Sequence, residues 1–550
     1  MADESFDAIC VGAGFAGIHM SYRLRELGLK FLVIDQAGDV GGTWFWNLYP
    51  GAMSDSESFI YRFSWDRDDL MNYPWKDHYV KQDEVLAYLN HVVKKHDLRK
   101  YMQFNTQLVS ANWSESDQRW VLKISGPEGE KTISTRYAIT ALGLLSKTNL
   151  PDIPGLKSFE GEMYHTGAWP KGTDVTGKRV AVIGCGSTGV QVITEIGSKV
   201  GHLTCYQRHP QYSVPSGDRA VTAEERQHWN ENWDNIFDLV KNSITAMGFK
   251  ESQRSFHDAT PEEREKIFQE AWNKGNGFKF MFGTFSDIAV DWEANEAAAD
   301  FIRRQIDKIV KDPEKARKLK PHDVYARRPL CDGNARSGES YFDQFNRDNV
   351  DIVDLKETPF KQVEAKGIRT SDGKFTELDC LILATGFDAV DGNYLRLAIH
   401  GRNGVSLKEY WDETGPTSYL GVAVPEFPNW FMISGPKGPF TNAPPQIERQ
   451  VEFISAAIED NEKAGARVPI EATHEAERAY SAYCEELAAH SLFWKAEDNW
   501  IFGANIPGKP KQLRFFFGGM QAYRQKLVEV VSKGYDGFKP FTSNPTARVF

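Results

Sequence analysis

Two stretches of the chain combine short apolar runs with a glycine-rich turn and an amphipathic segment. The first contains apolar runs at residues 8–11 and 31–34, separated by a glycine turn and a helical pattern. The second repeats this order between apolar runs at residues 179–183 and 202–206. Short apolar runs bounded by turns indicate buried strands, so each stretch predicts a strand-helix-strand unit. A separation of roughly 170 residues favours two nucleotide-binding domains over two turns of a single sheet.

Between residues 221 and 320 the apolar positions recur every three or four residues. One stripe consists of Trp229, Trp233, Ile236, Phe237, Val240 and Ile244, and another of Ile302, Ile306, Ile309 and Val310. The segment Thr260-Pro261-Glu262-Glu263 is typical of a helix start, with threonine as the cap and proline at the first helical position. This region predicts a helical insertion, and we interpret its aromatic side chains as core rather than as ligand-stacking groups.

The 550 residues include 65 Lys and Arg against 76 Asp and Glu, which gives a net charge of −11. Such an acidic chain offers no broad positive surface to a phosphate backbone, so we expect no nucleic-acid binding. No apolar run reaches the ~18 residues that a membrane-spanning helix needs, so we expect no membrane insertion. The six cysteines include no C-x-x-C pair. We therefore expect neither a disulfide framework nor a metal site, and we predict a cytoplasmic protein.

The first glycine turn has the spacing of a dinucleotide-binding loop. Gly12 and Gly14 allow a tight turn and a close approach to a pyrophosphate, and Gly17 allows the following helix to pack against the strand. Asp35 follows the second strand, where an acid accepts both ribose hydroxyls and repels a 2′-phosphate. This unit therefore predicts a site for FAD or NAD rather than for NADP.

The second unit has the same glycine spacing but a different charge after its second strand. Its turn and helix start are formed by Gly184, Gly186, Ser187, Thr188 and Gly189. Arg208 and His209 stand where an acid would otherwise follow the strand, and a guanidinium can pair with a 2′-phosphate. We therefore predict NADPH as the second cofactor and electron transfer from NADPH to a flavin. The flavin could then reduce a disulfide, another carrier or dioxygen, and the lack of a cysteine pair near the first unit disfavours a disulfide reductase.

These patterns predict an α/β protein with two Rossmann-like dinucleotide-binding domains, one for FAD and one for NADPH, and a helical insertion. We assign residues 1–150 and 380–550 to a discontinuous FAD-binding domain. Residues 151–220 and 321–379 are assigned to a discontinuous NADPH-binding domain, and residues 221–320 to the insertion.

A further motif lies between the two glycine turns and is not explained by periodicity. It consists of Phe159, Gly161, His165, Trp169 and Pro170 in the spacing F-x-G-x-x-x-H-x-x-x-W-P. This motif resembles the fingerprint of the type I Baeyer-Villiger monooxygenases, which are class B flavoprotein monooxygenases. Within that family the sequence is most similar to the cyclohexanone monooxygenases. The resemblance covers nearly the whole chain and includes residues 41–47, 51–55, 325–332, 384–388 and 500–509.

The resemblance implies a reaction in which NADPH reduces FAD, dioxygen adds to the flavin, and the C4a-peroxyflavin attacks a ketone to give an ester or lactone. The implied partners are a small ketone and dioxygen, with no obligate protein partner. By resemblance, Arg328 stabilises the oxyanion over the flavin, and Asp55 orients that arginine. The fingerprint residues are implied to form a hinge between the two cofactor domains.

The resemblance also implies which residues surround the ligands. Cofactor contacts are implied for Gly42, Thr43, Trp44, Trp46, Asp55, Arg327, Arg328, Trp500 and Lys509. The implied substrate pocket consists of Leu145, Met247, Phe278, Phe440, Thr441, Ala443 and Phe515. This largely apolar set predicts a hydrophobic ketone as substrate and broad acceptance of similar ketones.

Two positions depart from the family pattern, because His209 replaces a threonine and Arg327 replaces a lysine. Both changes keep hydrogen-bond donors near a 2′-phosphate. The main alternative is a flavin-containing monooxygenase that oxygenates nitrogen or sulfur, against which Arg328 and the Trp169-Pro170 pair argue. The other alternative is a non-catalytic, redox-sensing flavoprotein, which would need neither Asp55 with Arg328 nor an apolar pocket.

Overall fold

The structure is a computed structural model, and it describes residues 4–326, 330–331, 338–465, 467–542, 545–548 and 550. Within these ranges the chain forms two large sheets, and each contains one of the strand-helix-strand units expected from the sequence. No helix in the described ranges is long and apolar enough to cross a membrane.

The first sheet has eight strands and contains the first glycine turn. Its central strand, Glu4–Val11, pairs in parallel with Phe31–Ile34 on one side and Gly129–Thr140 on the other. The last four residues of this strand are buried, as expected for a parallel strand covered on both faces. The other strands of the sheet are Met102–Gln103, Gln107–Ser114, Arg119–Gly126, Ala398–His400 and Trp430–Met432.

The second sheet has five parallel strands and contains the second glycine turn. Their order is Val350–Asp354, His202–Gln207, Arg179–Ile183, Cys380–Leu383 and Glu162–His165. The sequence placed residue 380 at the start of a returning FAD-domain segment. The structure differs, because Cys380–Leu383 makes its ladder hydrogen bonds within the second sheet. The chain returns to the first sheet only with the strand at residues 398–400.

The described residues also form four smaller sheets. A three-stranded antiparallel sheet consists of Phe360–Glu364, Gly367–Thr370 and Phe375–Glu377. The two-stranded pairs are Met53–Glu57 with Tyr79–Lys81, Ser213–Val214 with Leu330–Cys331, and Gly438–Pro439 with Phe515–Phe516.

The helices of the two units are Phe15–Glu26 and Ser187–Ile196, and each begins directly after its glycine turn. The predicted insertion contains Ala223–Asn242, Pro261–Lys274, Gly277–Gly283, Trp292–Ile309 and Pro313–Leu319. The other α-helices in the described ranges are Thr43–Trp46, Arg67–Asn72, Gln82–Lys95, Tyr341–Gln344, Leu407–Thr414, Ala443–Ala464, His474–Ala489 and Gly519–Ser532.

The insertion follows its sequence pattern at the helix cap and along most of its apolar stripe. The Thr260 hydroxyl accepts a hydrogen bond from the Glu263 N–H, and the Glu263 carboxylate accepts one from the Thr260 N–H. Trp229 and Trp233 are buried in the core as expected. Ile244 departs from the pattern, because the helix ends two residues before it and the residue is 51% exposed.

Candidate active site

A single cavity of about 1530 Å³ is lined by both glycine turns and by part of the helical insertion. Pockets for one small ligand typically measure about 300–1,000 Å³, so this cavity has room for more than one ligand. The two dinucleotide sites expected from the sequence therefore open into one shared space.

The first glycine turn brings three stretches of backbone into close contact. A Cβ atom added at Gly17 would lie 1.8 Å from the Gly12 carbonyl oxygen, so the helix can pack this closely only with glycine there. Gly12 has a φ of +115°, and an added Cβ would lie 2.3 Å from the Ala141 carbonyl oxygen. Gly14 faces Gly42, where an added Cβ would lie 2.9 Å from the Gly14 Cα. This cradle at a helix N-terminus suits the diphosphate of a dinucleotide.

Asp35 lies at the cavity wall directly after the strand Phe31–Ile34. One carboxylate oxygen accepts a hydrogen bond of 2.6 Å from the Ala13 N–H, and the other accepts one of 2.8 Å from the Ala37 N–H. Burial raises the pKa of Asp35, while the two N–H groups act in the opposite direction. Because both oxygens are fixed, this carboxylate is well placed to accept the hydroxyls of a ribose.

The second glycine turn has the same packing but an open face. Added Cβ atoms would lie 2.5 Å from the Ala384 carbonyl oxygen at Gly184 and 2.2 Å from the Gly184 carbonyl oxygen at Gly189. An added Cβ at Gly186 would meet nothing within 4 Å. Gly186, Ser187 and Thr188 line the cavity at this point. The turn therefore has room for a ligand's phosphates at the start of its helix.

Arg208 and His209 come directly after the strand His202–Gln207 and both line the cavity. Both contact the same carboxylate oxygen of Asp498, at 3.0 Å from the Arg208 guanidinium and 2.9 Å from the His209 Nε2. Asp498 belongs to the segment before Trp500 and also lines the cavity. The sequence did not single out this acid, because it lies 289 residues after His209 in the chain.

Asp55 is buried in the strand Met53–Glu57 and lines the same cavity. The helix of the second unit holds this strand, because the Gln191 side chain donates a hydrogen bond to the Met53 carbonyl oxygen at 3.1 Å. Tyr49 donates a hydrogen bond of 2.8 Å to the side-chain oxygen of Gln191. The sequence did not predict the role of Gln191. The predicted site residues Arg327 and Arg328 lie outside the described residues.

The cofactor residues implied by the family resemblance divide into two groups. Gly42, Thr43, Trp44, Trp46 and Trp500 line the cavity. Lys509 lies behind its wall, where the ammonium group contacts Asp388 and lies 2.8 Å from Asp391. Its proposed contact with a cofactor would therefore require these ion pairs to rearrange.

None of the five fingerprint residues lines the cavity. His165 ends a strand of the second sheet, and its Nδ1 accepts a hydrogen bond of 3.0 Å from the Gly167 N–H. Burial lowers the pKa of His165. Trp169 is buried, whereas Gly167 and Ala168, between these two fingerprint residues, line the cavity. The remaining fingerprint positions are Phe159, Gly161 and Pro170, and the last two are exposed.

All the side chains expected to form the substrate pocket line the cavity. They are Leu145, Met247, Phe278, Phe440, Thr441, Ala443 and Phe515. Phe517 adds to this wall and stacks on Phe440 with ring centroids 5.5 Å apart. Ile244 and Val290 also line the cavity and are about half exposed, at 51% and 53%. The result is a largely apolar compartment beside the two glycine turns.

Comparison with known proteins identifies the family. The flavin-binding monooxygenase-like family matches residues 7–212. A Baeyer-Villiger monooxygenase of Pseudooceanicola batsensis is 48% identical over 96% of this chain and 95% of the relative. A phenazine N-monooxygenase of Lysobacter antibioticus is 48% identical over 97% of this chain and 96% of the relative. The crystal structure of cyclohexanone monooxygenase from Rhodococcus sp. Phi1 bound to NADP⁺ matches with a TM-score of 0.94 and 50% identity, over 98% of this chain and 100% of that chain.

These matches extend over almost the full length of each relative, so they include both glycine turns and the apolar compartment. The expected fold class and the expected pair of cofactors, FAD and NADPH, are confirmed. The two strand-helix-strand units also fit these cofactors. The second strand of the first unit is followed by an acid that the backbone holds in place, and that of the second unit by two basic side chains. The chain therefore belongs to the type I Baeyer-Villiger monooxygenases, flavin enzymes that use NADPH and dioxygen.

Proposed function

We propose that this enzyme inserts one oxygen atom beside the carbonyl of a hydrophobic cyclic ketone and releases a lactone. The observation that carries the proposal is the shared cavity, in which both dinucleotide sites adjoin the apolar wall around Phe440 and Ala443. The hydride donor, the flavin and the ketone must be held close together in a defined geometry, and a common cavity allows them to be neighbours. The apolar wall favours a ketone without charged substituents.

In this proposal, Asp55 orients the guanidinium of Arg328, which lies outside the described residues. A guanidinium keeps its protons at physiological pH and can stabilise the oxyanion that forms when the ketone carbonyl is attacked. Bound FAD supplies the redox chemistry with dioxygen. The protein's own groups bind and orient the reactants, donate hydrogen bonds to the oxyanion and exclude water.

The pocket wall supports both the exclusion of water and the orientation of the ketone. The Phe440 ring lies 5.3 Å from that of Phe515 and 5.5 Å from that of Phe517, measured between centroids. Beside them, the buried Thr441 hydroxyl has no hydrogen-bond partner among the described residues. A buried hydroxyl without a partner costs free energy, so a carbonyl oxygen bound next to it would gain a donor. We propose that Thr441 orients the ketone in this way.

A second candidate function is N-oxygenation of an aromatic heterocycle. It is favoured by one observation, because a relative with 48% identity is named a phenazine N-monooxygenase. Both reactions use the same cofactors, and an apolar pocket also accommodates a flat heterocycle. The two candidates therefore differ in the substrate and not in the cofactor sites.

Product analysis distinguishes the candidates. The FAD-loaded enzyme is supplied with NADPH, ¹⁸O-labelled dioxygen and either cyclohexanone or phenazine. We expect a lactone that contains one labelled oxygen atom and little phenazine N-oxide. Phenazine N-oxide as the main product would support the second candidate. NADPH consumption that yields only hydrogen peroxide with both substrates would contradict both.

We also infer that the enzyme works in a reducing compartment such as the cytoplasm. The inference is supported by five buried free thiols, those of Cys10, Cys185, Cys205, Cys380 and Cys484.

A further inference from the structure

We propose that Asp498 competes with the coenzyme's 2′-phosphate for Arg208 and His209, and that it thereby limits the selectivity for NADPH over NADH. This inference depends on the proposed role of Arg208 in binding the 2′-phosphate. A carboxylate and a phosphate both present anionic oxygens to a guanidinium, so they can use the same donors. Asp498 is thus a candidate determinant of coenzyme selectivity, and it lies outside both glycine motifs.

The geometry supports direct competition. One Asp498 oxygen contacts both basic groups, at 3.0 Å from the Arg208 guanidinium and 2.9 Å from the His209 imidazole. The side chains are 55% exposed at Arg208 and 40% at Asp498, so the pair lies at an accessible edge of the cavity. A phosphate that bound to Arg208 would therefore meet the carboxylate of Asp498 at the same donors.

The consequence differs between the two coenzymes because their charges differ at this position. A phosphate monoester carries about −1.5 to −2 charges near neutral pH. Repulsion between it and Asp498 must be relieved before NADPH can bind fully. The 2′-hydroxyl of NADH carries no charge and can donate a hydrogen bond to the same carboxylate. Asp498 therefore weakens NADPH binding and leaves NADH binding unchanged or slightly stronger.

The position of Asp498 links this competition to the segment that carries Trp500. The neighbouring Asn499 caps the short helix Trp500–Phe502, because its side-chain oxygen accepts a hydrogen bond from the Ile501 N–H. Trp500 itself lines the cavity. When a 2′-phosphate displaces Asp498, the displacement acts directly next to this helix. Binding of the phosphate would therefore act on residues 498–502, a segment that also lines the shared cavity through Trp500.

The test compares Asp498→Asn with a matched neighbour. Asp498 has a positive φ of 45°, a conformation that asparagine adopts readily, so this variant should keep the backbone. The control is Glu497→Gln, which removes the same charge from the same segment. Glu497 pairs with Lys356 at 3.2 Å, whereas Asp498 pairs with Arg208 and His209. Arg208→Ala reports whether this arginine binds the 2′-phosphate at all.

The readout is the Kd measured by calorimetry on the FAD-loaded enzyme, without turnover. The ligands are NADP⁺ and NAD⁺, together with 2′,5′-ADP and 5′-AMP, which differ only in the 2′-phosphate. For Asp498→Asn we expect the Kd of NADP⁺ and of 2′,5′-ADP to fall about two- to fivefold, in keeping with the loss of one competing surface ion pair. The Kd of NAD⁺ and of 5′-AMP should fall less than about twofold or rise. Glu497→Gln should bind all four ligands with the Kd values of the wild-type enzyme.

Two results would overturn the proposal, and they are distinguishable. If Arg208→Ala binds 2′,5′-ADP as tightly as the unchanged enzyme, the 2′-phosphate site itself is wrongly assigned. If Arg208→Ala weakens that binding but Asp498→Asn leaves it unchanged, or shifts it no more than Glu497→Gln does, then Asp498 does not compete with the phosphate. In either case the oxygenation of a ketone would still be open to its own test.

Discussion

The two glycine turns share one backbone plan but differ in the side chains that come after their second strand. In the first unit, Asp35 is buried and its two oxygens are fixed by main-chain N–H groups. In the second unit, the Arg208 side chain is 55% exposed and pairs with an acid from a distant segment. The acid of the first site is therefore held in place by the backbone, whereas the arginine of the second site is paired with a side chain that a ligand could displace. The difference suits a flavin that stays bound and a nicotinamide coenzyme that is recognised through its phosphate.

The largest expected effect comes from the glycine that packs the first helix against its strand. In Gly17→Ala the new methyl group would lie 1.8 Å from the Gly12 carbonyl oxygen. We expect colourless or unfolded protein, with a stability loss of about 3 kcal/mol or more, at the upper end of overpacking effects. Flavin absorbance and thermal unfolding measure this loss.

The matched control for that variant lies in the second turn. Gly186 has a φ of −66°, and an added Cβ meets nothing within 4 Å. Gly186→Ala should therefore fold, keep its FAD and lose only affinity for NADP⁺. Equal flavin content in Gly17→Ala and Gly186→Ala would show that the first turn is not the FAD site.

The second prediction concerns the basic end of the second unit. Arg208→Ala should lower kcat/KM for NADPH about ten- to a hundredfold, because one charge-assisted contact to the 2′-phosphate is lost. The value for NADH should change little. Arg317→Ala is the control, since Arg317 is also basic but pairs with Glu314 and Glu357 on the surface. An Arg208→Ala enzyme with the original preference for NADPH would refute the assignment.

A smaller effect is expected when the pH is lowered, and it concerns the binding of FAD at the first unit. Only the ionised carboxylate of Asp35 is a full acceptor for the ribose hydroxyls, so protonation should weaken FAD binding. Burial raises the pKa of Asp35, and FAD should therefore be retained above this raised value and released as the pH falls through it. The release should begin at a higher pH than an ordinary carboxyl group would require. Flavin fluorescence during an acid titration measures the release.

Two variants show whether this acid release depends on Asp35. Asp35→Asn should bind FAD more weakly and lose this part of the pH dependence. Asp379→Asn should leave it unchanged, because the guanidinium of Arg179 lowers the pKa of Asp379 to about 2 and this acid lies at the second sheet. A release curve that is the same with and without Asp35 would mean that another group controls it.

Local patterns were enough to predict the parts of the fold in which neighbours in sequence are neighbours in space. Both strand-helix-strand units and the cap at Thr260 can be predicted from glycine spacing, apolar runs and a capping motif. The predicted domain boundary at residue 380 differs from the structure because the pairing of Cys380–Leu383 depends on strands about 200 residues earlier. Strand pairing over such distances leaves no local signal.

The same limit applies to the site. The positions of Gly12, Gly14 and Asp35 at the cavity could be predicted because one motif contains all of them. The pocket side chains were placed only through resemblance to a family, since an apolar residue in a pocket has the same local pattern as one in the core. Asp498 and Gln191 were missed because their partners are supplied by distant segments. Only the folded chain shows such pairs.

One rapid-mixing experiment separates hydride acceptance from oxygen insertion. It measures flavin reduction by NADPH in Arg328→Ala and Asp55→Asn, and then quantifies ester and hydrogen peroxide after mixing with dioxygen and cyclohexanone. We predict that Arg328→Ala still binds FAD and accepts hydride, while its ester yield falls about a hundredfold or more, in the range seen when an oxyanion donor is removed. Asp55→Asn should show a milder form of the same defect, and hydrogen peroxide should replace the ester in both. An unchanged ester yield from Arg328→Ala would contradict the proposed active site.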